Sequence, residues 1–164
     1  LAARGIYANL NLHVSRTHSR FLKLPDTGGV ESFDKMVDIF TPELVEAQRK
    51  YARDLLTHRN PYRKAPGASL GLRLADDPAV AFVEINNEDS LFMWGWERKL
   101  QTLPEHYAKI IRGLYNAWLA KRYPGEGELA KAWGAGAEPL GENVLAAVGR
   151  IGRASCRERV SSVV

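Results

Sequence analysis

Glu88 is the residue of this chain best suited to proton transfer. It closes the run Ala79-Val80-Ala81-Phe82-Val83-Glu84-Ile85-Asn86-Asn87-Glu88. An apolar strand is a rigid support, and a carboxyl at its end can have a dry underside and a wet mouth. Desolvation there raises a carboxyl pKa, which lets the group hold a proton near neutrality as a general acid must. Asn87 beside it does not titrate but can bind a substrate hydroxyl. Glu84 lies four residues back, about 13 Å away at strand rise. Paired glycosidase carboxylates sit about 5–5.5 Å or about 6.5–9.5 Å apart, so Glu84 is not the partner of Glu88. Its charge is expected to be paired with Asn11, His13 or an arginine, in a structural role.

A second strand supplies further groups. From Gly5 to His13 the chain alternates, with Ile6, Ala8, Leu10 and Leu12 on one face and Tyr7, Asn9, Asn11 and His13 on the other. This period of two predicts a strand whose polar face runs toward ligand or water. His13 ends that strand as Glu88 ends the other, and Asn11 and His13 are candidate substrate-binding residues. A metal pair from His13 and His18 lacks an assured third ligand, so no metal and no cofactor is expected. Trp94 and Trp96 closely follow Glu88, and aromatic faces stack on the apolar faces of sugar rings. Asp76-Asp77-Pro78 reads as a turn rather than a cation site.

Between the two strands, Ser15 to Asp38 has no clear period and reads as a long loop around Leu24-Pro25-Asp26-Thr27-Gly28-Gly29. Thr41-Pro42-Glu43 opens a helix, with Thr41 as N-cap, Pro42 in the first turn and an acid beside it. Leu44, Val45, Gln48, Tyr51, Ala52, Leu55 and Leu56 form its inward face, and it ends near His58. Residues 60–78 form a second loop. Strand, helix and strand make a βαβ unit, so the strands near 6–12 and 80–87 are expected to be parallel neighbours. His13 and Glu88 then share one sheet edge, the carboxyl edge where parallel α/β folds bind ligands. Helices are also expected over 104–121, with Tyr107, Ile110, Ile111, Leu114, Tyr115 and Trp118 inward, and over 127–133. His58 and His106 are expected to face solvent.

The 164 residues suffice for one core but not for a complete eight-fold barrel, which takes about 250. The chain starts Leu1-Ala2-Ala3-Arg4, close to the first strand, and a fragment is the expectation. Of the net charge of +4, the stretch 150–164 carries +3 through Arg150, Arg153, Arg157 and Arg159 against Glu158. The remaining 19 basic and 18 acidic residues give a nearly neutral body, which argues against nucleic acid as a partner. Cys156 is the single cysteine, so no disulfide forms within the chain. No apolar run approaches the ~20 residues of a membrane span. Residues 150–164 lack periodicity and resemble the translation of a sequencing adaptor; 1–149 is the expected folded domain.

Glu84-Ile85-Asn86-Asn87-Glu88 resembles the end of the fourth barrel strand in cellulase-like glycoside hydrolases of clan A, such as family 5. Asn9-Leu10-Asn11-Leu12-His13 is similar to the third strand of those enzymes. The resemblance extends through Asn60-Pro61-Tyr62 and Asp76-Asp77-Pro78 to Ser90-Leu91-Phe92. It implies a fragment of a (β/α)8 TIM barrel, a carbohydrate substrate, and Glu88 as acid/base with Asn87 binding substrate. It also implies a retaining hydrolase whose nucleophile is a second Glu on a later strand, outside this chain. Asp89 stands where the family usually has Pro, and Asn11 where Asp is frequent. The rival expectations are a non-catalytic carbohydrate-binding relative and an unrelated α/β interaction module. Any export signal would lie upstream, which leaves location open.

Overall fold

The computed structural model describes residues 4–13, 16–26, 32–91, 99–124 and 128–133. They fall into two compact units, one drawn from Leu1–Leu24 and Ser32–Asp89, the other from Pro25–Glu31 and Ser90–Val164. The fold is mixed α/β.

In the first unit, β1 (Ala8–Asn11) pairs in parallel with a strand at Val80–Glu84, from Asn9 opposite Phe82 to Asn11 opposite Glu84. This is the expected pairing, with shorter strands than 6–12 and 80–87. A register irregularity lies between Ala8 and Asn9. The ladder continues one bond further, from the Leu12 N–H to the Glu84 carbonyl at 2.9 Å. Then the Asn11 side-chain oxygen accepts the His13 backbone N–H at 2.8 Å and turns the chain. An Asx-type turn of this kind competes with strand pairing, which is why β1 stops here.

The stretch 15–38, expected to be a loop throughout, contains a short helix α1 (His18–Leu22) and 3-10 turns at Ser32–Asp34 and Val37–Ile39. No local side-chain cap starts α1. The buried Asp34 carboxylate does so from a distance, accepting the Ser19 N–H at 2.9 Å and the Ser19 hydroxyl at 2.5 Å. That partner is 15 residues away, so no sequence window shows it.

Helix α2 (Pro42–Thr57) follows, with Pro42 at its start and Glu43 in its first turn as expected. Thr41 occupies the cap position in extended conformation, but its hydroxyl makes no capping bond and lies buried without a partner. Its carbonyl accepts the Leu44 and Val45 N–H groups, both at 3.0 Å. Leu44 is fully buried and Val45, Gln48, Tyr51, Ala52, Leu55 and Leu56 are half-buried, so the whole expected face points inward. Met36, Val37 and Thr41 are also fully buried.

The 60–78 stretch holds a small hairpin, β2 (Arg59–Asn60) antiparallel to β3 (Leu72–Arg73), followed by a 3-10 turn and β4 (Val80–Glu84). Asp76-Asp77-Pro78 is the expected turn. Asp76 pairs with Arg73 at 2.6 Å, and Asp77 pairs with Arg63. Both guanidinium groups hold their carboxyls below the usual range. Phe82 on β4 and Ile85 just after it are largely exposed, so this stretch shows apolar surface to solvent.

The second unit contains α3 (Glu105–Arg122) and α4 (Glu128–Trp133), close to the expected spans. Tyr107, Ala108 and Leu119 of α3 are buried with Leu100, Leu103 and Leu129, and the Tyr107 hydroxyl donates to the Pro25 carbonyl at 2.6 Å. Leu114 and Trp118, expected inward, are more than half exposed. Ile110, Ile111 and Tyr115 are half-buried as expected, so the inward face is shared by these and the buried 107, 108 and 119. His58 is exposed, whereas His106 is half-buried and stands edge-on to the Tyr107 ring. No described helix is long and apolar enough to cross a membrane.

Candidate functional site

Parallel pairing of β1 with β4 makes the chain leave both strands at the same edge of the sheet, through His13 on one side and Asn86–Asp89 on the other. Asn11 and Glu84 are register partners, and the Asn11 amide donates to Glu84 Oε2 at 2.7 Å. Glu84 thereby has the structural partner expected of it. The Asn11 side chain, expected to bind substrate, is committed at both ends: its oxygen holds His13 and its nitrogen holds Glu84.

His13 is drawn to acids rather than to open solvent. Its Nε2 lies 2.6 Å from Asp38 Oδ2 and 3.5 Å from Asp89 Oδ2, and all three side chains are largely buried. The Asp38 hydrogen bond raises the imidazole pKa against the opposing effect of burial, and the charges of Asp38 and Asp89 add to the rise. Burial pushes the Asp38 carboxyl up to about 7; the His13 hydrogen bond works against that, and Asp89 reinforces it. Asp38 therefore keeps much of its proton close to neutrality, in a dry place beside a second acid.

Asp89 also fixes the loop after β4. Its Oδ1 accepts the Met36 backbone N–H at 2.7 Å, and its backbone carbonyl accepts the Asn86 side-chain amide at 3.1 Å. One residue earlier, Lys35 Nζ donates to the Glu88 carbonyl at 3.1 Å. Between these anchors Glu88 takes φ +47°, and Phe33, Asp34 and Met36 on the facing turns also have positive φ. Such backbone costs about 1–3 kcal/mol per non-glycine residue and survives only where surrounding contacts hold it. Glu88 is exposed and Asn87 half-buried. The dry underside expected for Glu88 is thus found at Asp38, not at Glu88. Trp94 and Trp96 lie outside the described residues.

A cleft beside the trio is lined by Arg16, His18, Phe33 and Lys35 together with His13 and Asp38. The Arg16 guanidinium stacks 3.6 Å above the Tyr51 ring and donates to the Tyr51 hydroxyl, which holds it in place. Burial lowers the His18 pKa.

Sequence reasoning singled out His13, Asn11, Asn87 and Glu88, and topology brings them to one edge. It missed Asp38 and Asp89 as site residues. For Asp89 the available signal was its place directly after Asn87-Glu88 at the end of the strand run; Asp38 gave none, being inside a stretch without period. Comparison of the chain with protein-family models, with curated proteins and with solved structures finds no match.

Proposed function

We propose that this chain is part of a retaining glycoside hydrolase built on a (β/α)8 barrel, with Glu88 as its acid/base. The observation that carries the reading is the parallel pairing of β1 and β4, with His13 and Asn87-Glu88 following their carboxyl ends. In this reading Glu88 protonates the glycosidic oxygen as the bond to the anomeric carbon breaks. A carboxylate from a later strand attacks that carbon, and ionised Glu88 then takes a proton from the water that hydrolyses the glycosyl-enzyme. Asn87 binds a sugar hydroxyl. His13, held by Asp38, lines the subsite, and Trp94 and Trp96 supply stacking faces.

The test is kinetic, on the longer chain that carries the nucleophile. Glu88→Gln should lower turnover of unactivated glycosides by about 10²–10⁴-fold, the usual contribution of a general acid. Aryl glycosides whose leaving group needs no proton should lose less in the first step. Full activity on both would remove Glu88 from the mechanism.

The exposure of Glu88 favours one second reading, a barrel relative that binds carbohydrate without cleaving it. In that case Glu88→Gln would change sugar affinity alone, and no product would form with the parent protein.

A further inference from the structure

We propose that His13, Asp38 and Asp89 bind one divalent transition-metal ion, of the Zn2+ or Mn2+ class. One donor atom from each lies within 4.8 Å of the others. The two distances from His13 Nε2, 2.6 Å and 3.5 Å, bracket the ligand spacing of about 3 Å around an ion held at about 2.0–2.1 Å.

The donor set selects the metal. One imidazole nitrogen with two carboxylate oxygens suits Zn2+, Mn2+ or Fe2+. Mg2+ and Ca2+ prefer oxygen alone and tolerate a nitrogen poorly. Two carboxylates and one neutral imidazole also present a charge that a dication offsets.

A second, independent observation is an orphaned atom. The Asp38 side chain is 3% exposed, and its Oδ1 is buried with no hydrogen-bond partner. A buried carboxylate oxygen without a donor is costly, and bidentate ligation would satisfy both Asp38 oxygens at once. Asp89 is prepared differently. Its Oδ1 is held by the Met36 N–H, which leaves Oδ2 turned toward the imidazole. Such outer anchoring of a ligand is what tunes metal sites. The cleft that reaches His13 and Asp38, lined also by Arg16 and Lys35, gives the ion an entry path. The ligands include His13, which lines the subsite in the glycosidase reading, but not Glu88, so metal binding and Glu88-dependent turnover succeed or fail separately.

Metal titration of the whole 164-residue chain after chelator treatment tests it. One equivalent of Co2+ should produce visible d–d absorption, Zn2+ should displace it, and the thermal midpoint should rise. Asp89→Asn keeps an acceptor for the Met36 N–H, and His13→Gln keeps a donor toward Asp38. Each should weaken Zn2+ binding by more than about 10-fold, at least the effect of losing an outer-shell partner. His58→Gln, at an exposed histidine, should bind as the parent does. If circular dichroism shows Asp89→Asn unfolded, His13→Gln decides. Absence of saturable one-to-one binding by the parent chain, or parent-like binding by the deciding variant, overturns the proposal.

Discussion

The Asp89 carboxylate accepts the Met36 backbone N–H at 2.7 Å, joining the loop after β4 to the turn before α2 across 53 residues of sequence. Both groups are buried, and Met36 itself has φ +73°. One side chain thereby braces two strained segments, its own loop with Glu88 and the turn that carries Asp38.

Truncating that brace should therefore cost more than an average substitution. Asp89→Ala leaves the Met36 N–H buried without an acceptor, at a cost of about 1–3 kcal/mol. Asp89→Asn retains the acceptor and should lose clearly less. Urea unfolding of the two variants at one pH measures the difference. Equal losses would show that the hydrogen bond to Met36 contributes nothing.

Asn11 and Glu84 should behave as a coupled pair. Asn11→Ala removes the donor to Glu84 and the acceptor for the His13 N–H, so about 1.5–3 kcal/mol is expected, the range for bonds to a charged group. Glu84→Gln keeps the shape and weakens the bond. A double-mutant cycle should give a coupling energy of about 0.5 kcal/mol or more. Strict additivity would mean that β1 and β4 pair independently of this bond.

Gly71 has no room for a side chain. A Cβ built there would stand 2.0 Å from the Asn60 carbonyl oxygen and 2.6 Å from its carbon, both backbone atoms that cannot swing aside. Gly71→Ala should open the β2–β3 hairpin, with a loss of about 1–3 kcal/mol typical of overpacking. Amide exchange at Leu72, whose N–H donates to the Arg63 carbonyl at 2.7 Å, should accelerate. Unchanged protection at Leu72 would contradict the clash.

Acidification should expose the burial of His18. Its pKa is lowered in the folded chain, first by burial and further by Arg16 and His13, with Asp34 opposing. The unfolded chain then binds the proton more readily. The contribution of this group is present above the ordinary value of 6.5 and is lost as pH falls through the lowered one. His18→Phe cannot take up that proton. Chemical denaturation from pH 8 to pH 5 should show the parent losing more stability than His18→Phe, the gap opening below about 6.5. A constant gap would remove His18 from the pH response.

The readable parts of this chain are those whose cause is local. Alternation from Ile6 to His13 marks β1, and the spacing of Leu44, Val45, Gln48 and Leu55 marks the inward face of α2. Pro42 and Glu43 mark where α2 starts, because missing donors and helix dipoles act within one turn. The order strand, helix, strand is enough to expect parallel pairing and a shared edge for His13 and Glu88. The loss of periodicity over 15–38 was also real, yet it concealed α1, whose cap is Asp34 rather than a neighbour. The stripe on α3 was misplaced at Leu114 and Trp118 because spacing gives a face its width but not what covers it.

By itself, then, the sequence determined β1 and β4, the main helices and the edge at which polar groups gather, but not the β2–β3 hairpin, since periodicity and capping depend on neighbours within a few residues. Tertiary structure alone decided that His13 meets Asp38 and Asp89, 25 and 76 positions along the chain. It also decided that the dry carboxyl is Asp38 while Glu88 faces solvent. Burial and charge proximity are properties of the folded whole, and those two quantities set which group holds a proton.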